Sequence, residues 1–381
     1  MLQRLLMTTT TPRFTALDVF RGMTICFMII VNTPGNGATT FSPLLHAKWN
    51  GFTPTDLVFP SFLFAVGNAM SFVMNKWNNL QQSEVLWKIL KRTAVIFLLG
   101  YLMYWFPFVE RNAAGDFISF PFSATRVFGV LQRIALCYGI ASLIVYYCKP
   151  KTAVLLAVAF LLVYWILLYV FSDPTDPLGM QTNAGSQLDR WLLGEKHLYH
   201  GEGVAFDPEG LLSTLPAVVN VIAGYFVGKF IQQKGNSYET LTHLLLAGAA
   251  LLFISYCWNL NFPVNKKLWT SSFVTLTVGL DCIILSALIY VISIKNKTGW
   301  TYFFEVMGRN PLFIYLLSEL GATLLYFFRA DNKTTLYQWI YQNVFQFTGN
   351  YLGSLLFAVS YMLFCWLVGY FLDTRKIYIR V

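Results

Sequence analysis

The sequence predicts an all-α, polytopic transmembrane helical bundle of about ten spans, with both termini in the cytoplasm. Two observations carry the class. The chain has 381 residues, 56% of them hydrophobic and only 12% charged, where a soluble domain usually carries about 25% charged residues. Apolar runs of 18 or more residues also recur along it, each long enough to cross a hydrocarbon core of about 30 Å. A third observation, the loop charges, sets the orientation. The net charge of +9 comes from basic residues scattered over connections rather than gathered in a patch, so no nucleic-acid partner is expected and the lipid bilayer is.

The expected spans fall at 16–33, 55–75, 86–106, 126–147, 152–172, 211–231, 241–258, 268–294, 303–328 and 354–373, in one domain over residues 1–381. The first is too long for a signal-peptide core and lacks a small-residue cleavage site, so it reads as a retained helix. With a cytoplasmic N-terminus the inner segments hold Arg4, Arg13, Lys76, Lys88, Lys91, Arg92, Lys149, Lys151, Lys229, Lys234, Lys295, Lys297, Arg375, Lys376 and Arg380. The outer ones hold Lys48, Arg111, Arg190, Lys196, Lys266, Lys267, Arg329 and Lys333. That is 15 against 8, and an excess of Lys and Arg marks the cytoplasmic side.

Between the first two spans lies His46-Ala-Lys-Trp-Asn-Gly-Phe-Thr-Pro-Thr-Asp-Leu-Val-Phe-Pro60. It sets a His, an Asn and an Asp at the membrane's outer edge, where a polar cluster has to repay its desolvation. Imidazole titrates near pH 6.5 and can accept a proton or carry an acyl group. The long connection 173–210 contains Trp191, Tyr199 and Phe206 and ends in Phe206-Asp-Pro-Glu-Gly210; a loop of this length suggests a partly ordered lid. Its His197 and His200 fit a solvated surface pair better than a metal site. No other cluster asks for a metal.

Polar residues inside the spans mark a hydrated centre. Asp18 and Arg21, three apart, share a helix face and can pair; Arg21 would alternatively meet a phosphate arriving from the cytosol. Asn32 either stabilises the turn-rich exit Thr33-Pro-Gly-Asn-Gly37 or aims its amide at a reacting carbonyl. Arg126 and Arg133, seven apart, are expected on one face of the fourth span with Gln132 beside it. Arg126 is free to snorkel to the interface, whereas Arg133 needs a fixed partner: Asp56, Asp207, Glu209 or a ligand phosphate. Asp281 and Glu319 lie within later spans, and Arg309-Asn310-Pro311 marks a polar break. The six cysteines show neither metal nor redox spacing and read as buried small hydrophobes. Phe345, Phe347, Tyr351, Phe357 and Tyr361 form an aromatic face for lipid, with a homodimer partner left open.

Several of these motifs resemble the heparan-α-glucosaminide N-acetyltransferase family. They are Phe20-Arg-Gly22 with Val31-Asn32, His46-Ala-Lys-Trp-Asn-Gly51, Asp56-Leu-Val-Phe-Pro60, Gly129-Val-Leu-Gln-Arg133, Phe206-Asp-Pro-Glu-Gly-Leu-Leu212 and Pro263-Val-Asn-Lys-Lys-Leu-Trp269. The chain looks like a bacterial-type member of the inner membrane, with the ten-helix part but not the large outer domain and extra helix of the lysosomal enzymes. The resemblance implies transfer of acetyl from cytosolic acetyl-CoA to the amine of a glucosamine on the outer face. It places the active-site His on His46 and the catalytic Asn on Asn32.

His46 then serves as general base in direct transfer or becomes acetylated in a ping-pong mechanism. Direct transfer is favoured, because the long pantetheine arm can reach through a bundle. Asn32 would donate to the oxyanion. Asp56 would orient His46 or hold the ammonium, with Lys48 and Trp49 lining the sugar entrance and Asp207 and Glu209 binding the sugar. Arg21, Gln132, Arg133 and Asn310 are the donor-binding candidates. The sequence departs from the family after Asn32, where Thr-Pro-Gly-Asn-Gly replaces a glycine-richer turn. A short acceptor is expected: an amino sugar or a glycosaminoglycan-derived oligosaccharide. Two other classes stay open, an envelope-glycan O-acetyltransferase and a sugar transporter.

Overall fold

The computed structural model describes residues 14–379 apart from 78, 113–115 and 332; Arg4, Arg13 and Arg380 of the charge count lie outside the described residues. Ten long segments run back and forth. They are α1 (Thr15–Asn32), α2 (Pro54–Met74), α3 (Gln82–Trp105), α4 (Val130–Tyr147), α5 (Pro150–Val170), then, beyond the short α6 (Ala184–Leu193), α7 (Thr214–Lys234) and α8 (Tyr238–Asn259). Next come α9 (Ser271–Ile289), the pair α10 (Thr301–Arg309) and α11 (Pro311–Phe327), the one-turn α12 (Leu336–Ile340) and α13 (Asn350–Thr374). A hairpin of β1 (Val109–Arg111) and β2 (Phe117–Ser119), which the apolar pattern did not announce, pairs Glu110 with Ile118.

Every expected span lands on one of these helices, but they are not equal. Among the described residues eight helices are long and apolar enough to cross a membrane, and α10 with α11, bent by 81°, would make a ninth. The remaining one, α3, has the length but carries Glu84, Lys88, Lys91 and Arg92 in its first three turns. Those charges shorten its apolar stretch, since each is expensive in hydrocarbon. The bend falls at Asn310-Pro311, where proline opens α11 and its missing N–H and ring end the preceding helix.

The helices pack closely where glycine removes the side chain. A Cβ on Gly67 of α2 would stand 1.9 Å from the Val221 carbonyl oxygen, and one on Gly224 of α7 would stand 2.0 Å from that of Phe64. This reciprocal contact clamps α2 to α7, as small residues do where apolar helices meet without water to drive them. Gly22 of α1 and Gly308 of α10 do the same, each against the other helix's backbone.

Two sets of connections form the two ends. At one end Gly35 donates to the Ser354 carbonyl, Gly51 to that of Val264 and Val127 to that of His197. At the other Asn75 bonds Gln232, and Arg309 bonds Asp373. The loop of His46 thus shares its end with residues 106–129, 171–213 and 260–270.

Four expectations change here. Arg126 lies outside α4, which begins only at Val130 after an extended Gly129, so Arg126 and Arg133 do not share a helix face. Cys257 is exposed and Cys148 half-buried, though the other four cysteines are buried. The aromatic face is divided: Phe347 and Tyr351 are exposed, but Phe357 packs 4.6 Å from Tyr337 and the Tyr361 hydroxyl donates to the Ser318 carbonyl. Of the histidine pair His200 is exposed, but His197 is half-buried, its Nδ1 2.7 Å from the Thr125 carbonyl oxygen.

Candidate active site

The site begins with the start of α2. Thr53 is its N-cap and Asp56 sits three residues on, so each side chain meets the other's backbone in a capping box. Asp56 is fully buried. Its Oδ2 accepts from the amides of Thr53 (3.0 Å) and Ala47 (3.1 Å) and from the Thr53 hydroxyl. Folding the 33–53 loop back over the helix start leaves Oδ1 for one partner, His46 Nδ1 at 2.7 Å. A carboxylate that accepts here fixes the proton on Nδ1 and leaves the Nε2 lone pair as a base. The ring itself is 41% exposed, against 1% for the Asp56 side chain. Asp56 therefore orients His46, the first of the two roles the sequence suggested.

A third group, which sequence reasoning left among the outer loop charges, completes the arrangement. Lys266 Nζ stands 3.0 Å from Nε2 and 3.1 Å from Nδ1 of His46. The loop that brings it is tightly tied. Asn265 takes the Leu268 amide on its Oδ1 and donates to Asn50, Trp269 adopts a left-handed φ of 55°, and its buried indole donates to Asn220. Lys267 bridges to Glu202 at 2.7 Å and donates to the Lys48 carbonyl. Burial, together with the cation of Lys266 and against the pull of Asp56, holds the His46 imidazole below its ordinary value. Burial likewise holds Lys266 below the usual lysine range, with Asp56 and Glu209 opposing and Lys267 assisting.

Beside this triad the 206–213 turn meets Arg126. Asp207 takes two bonds from the guanidinium (2.6 and 3.0 Å) and Glu209 a third (2.6 Å). Tyr104 and Tyr199 flank Arg126, their ring centroids 5.0 and 4.7 Å away. Arg126 does not snorkel; it is the counter-ion of the two acids. Arg133 takes none of the acidic partners considered for it. It donates to the Gly210 carbonyl (2.9 Å) and to Ser213 and lies over the Trp269 ring, while its Nε and Nη1 have no hydrogen-bond partner among the described residues. Gln132 is fully buried, and neither amide atom has a hydrogen-bond partner among the described residues.

Trp49 closes one side. Its indole donates to the Leu178 carbonyl and its ring meets Phe206 edge-on at 5.6 Å, so the 173–210 connection rests on the His46 loop. Lys48 is exposed beside it. Asn32 donates to Glu319 at 3.2 Å. Glu319 in turn lies within Coulombic range of Tyr104, and Glu209 within range of both Tyr104 and Lys266. Asn32 is thus linked through Glu319 and Tyr104 to the Arg126 cluster, and that cluster through Glu209 to Lys266.

Arg21 and Asn310 stand apart, at the opposite end. Arg21 pairs with Asp18 at 2.8 Å. The Asn310 amide donates to the Ile377 carbonyl and its oxygen accepts from Ile379, which pins the chain beyond α13 to the α10–α11 bend. Among the described residues no group of three or more His, Cys, Asp or Glu is placed to hold a metal.

A family model described as "Heparan-alpha-glucosaminide N-acetyltransferase, catalytic" matches residues 13–257. Two relatives named heparan-alpha-glucosaminide N-acetyltransferase are similar: that of Homo sapiens is 28% identical over 366 residues, and that of Mus musculus 27% over 363. Each match covers 81% of this chain and 53% of the relative, so the chain spans about half the length of the curated relatives it matches. With most of its length under that family model, the chain belongs to the heparan-alpha-glucosaminide N-acetyltransferase catalytic family.

Proposed function

We propose that the protein is a membrane-embedded N-acetyltransferase that moves the acetyl group of acetyl-CoA to the amine of a glucosamine-type sugar. The observation that carries this reading is the His46–Asp56 contact, which leaves Nε2 as the base an attacking amine needs. Nε2 takes the proton as nitrogen adds to the thioester carbonyl, and a placed base contributes about 10² to 10⁴ in rate. Asn32 would swing its amide from Glu319 to the developing oxyanion, where a donor contributes about 10² to 10³. The amine would meet Glu209 as an ammonium and lose one proton to solvent before it attacks as the neutral amine, while the sugar's hydroxyls use the lone pairs that Asp207 and Glu209 keep beside Arg126. Trp49 and Phe206 offer the ring an apolar wall, and the 173–210 connection acts as the cover.

The donor fits the unpartnered atoms. Acetyl-CoA supplies an activated acyl group when bound, and the buried orphan atoms of Gln132 and Arg133 suit its amides or phosphates. Arg21 lies 11 residues before Asn32 on α1, about 16 Å by helical rise. That span suits a long donor arm entering at the Arg21 and Asn310 end and favours direct transfer. The loop charges support a cytosolic donor and an acceptor on the outer face.

The test is purified protein with radiolabelled acetyl-CoA and glucosamine, wild type against His46→Ala. Base-stable labelled N-acetylglucosamine from wild type, at least about 10²-fold less from the variant, and unchanged acetyl-CoA binding are expected. Donor binding without transfer to any amino sugar would refute the reading.

A further inference from the structure

Lys266 puts a primary amine where the acceptor's amine is needed. Its Nζ lies against the His46 ring, 3.0 Å from Nε2 and 3.1 Å from Nδ1, and Nε2 is the one of these two nitrogens that the Asp56 contact leaves as a base. The amine is not needed as a hydrogen-bond partner for Asp56, which already holds His46, two amides and a hydroxyl. We propose that Lys266 is itself an acyl acceptor, so that in the absence of sugar the protein N-acetylates this lysine from an acetyl thioester, with His46 as the base.

The step balances without any further reagent. The neutral Lys266 amine adds to the thioester carbonyl, forming the N–C bond while its proton passes to His46 Nε2. The C–S bond then breaks, and the departing thiolate takes that proton back from the imidazolium. One amide and one thiol result. Burial favours the neutral amine that this requires. The neighbouring Lys267 is the contrast: it is held by Glu202 at 2.7 Å and by the Lys48 carbonyl, and no contact with His46 accompanies those bonds. A bound acceptor sugar would occupy the Nε2 position and displace Lys266, so acceptor and self-modification compete.

The inference rests on the acetyltransferase reading, and one experiment separates the two. Purified protein is incubated with isotopically labelled acetyl-CoA, with and without glucosamine, and both the sugar and the proteolytic peptides are analysed by mass spectrometry. We expect one acetyl group on Lys266 and not on Lys267. Its formation should slow about 10²-fold in His46→Ala, vanish in Lys266→Arg, and fall as glucosamine is added. Acetylated sugar with an unmodified Lys266 overturns this inference alone. Labelling of Lys266, Lys267 and Lys48 alike, indifferent to His46→Ala, also overturns it, since that is uncatalysed chemistry. Neither labelled sugar nor labelled protein overturns the acetyltransferase reading and this inference with it.

Discussion

At the scale of single residues the site is a balance of charges around one imidazole. His46 is held below its ordinary value by burial and by Lys266, against Asp56. A base must be unprotonated, so the acid limb of kcat/KM should lie below the ordinary His value of about 6.5. Lys266→Gln removes a charge that lowers the pKa, so the limb should move up, and a pH–rate profile that stays put would contradict the role. Asp56→Asn should cost both activity and stability. It forfeits the tautomer control of His46 and weakens a helix cap worth about 1 kcal/mol, which separate measurements of kcat and thermal unfolding would show. His46 and Asp56 were legible in the sequence because they lie only ten positions apart, across one loop end and the helix start that follows it. Lys266 was not, since 220 residues separate it from His46 and only the fold closes that distance. Its motif, Pro263-Val-Asn-Lys-Lys-Leu-Trp269, was visible while its target was not. Arg126 was misread for a related reason: sequence spacing extends a helix across Gly129, where the backbone in fact is extended.

Among the elements, α2 matters most, because its first turn holds Asp56 and its middle is clamped to α7. Hydropathy located both helices within a few residues, since long apolar runs allow little else in a bilayer. It said nothing of which helix touches which. That information is in the glycines: Gly67 and Gly224 face each other's backbones at 1.9 and 2.0 Å for an added Cβ, and a periodic apolar pattern does not show which glycines are interfacial. Gly67→Ala should therefore force α2 off α7 and lower stability by about 1–3 kcal/mol, the usual cost of overpacking. The shift should appear as a lower melting temperature in detergent. Gly37→Ala, with open space around it, should leave melting unchanged and so isolates packing from the loss of glycine. Charge explains the other element that hydropathy judged unevenly. The first turns of α3 combine Glu84, Lys88, Lys91 and Arg92, and long basic side chains of this kind reach for a membrane surface.

Over the whole molecule the two ends differ in chemistry, and that difference is what a transmembrane transfer requires. One end gathers His46, Lys266 and Arg126 with Asp207 and Glu209 of the 173–210 connection. The other holds Arg21 with Asp18, and Arg309 bonded to Asp373 and Glu305. The loop charges of the second end outnumber those of the first, and such a bias sets orientation during insertion. We therefore expect the His46 end outside. Lys196 and Lys151 are exposed residues of opposite ends, so Lys196→Cys and Lys151→Cys, made in a Cys257→Ser background, report each side. A membrane-impermeant maleimide should label position 196 in intact cells and position 151 only after the membrane is opened. The reverse pattern would put His46 in the cytosol together with its donor. No acetyl group would then need to cross, and the separation of about 16 Å along α1 between Arg21 and Asn32 would have no transport to serve. The expected pattern instead makes that separation the path the acetyl group takes, with the base and the competing amine of Lys266 waiting at its outer end.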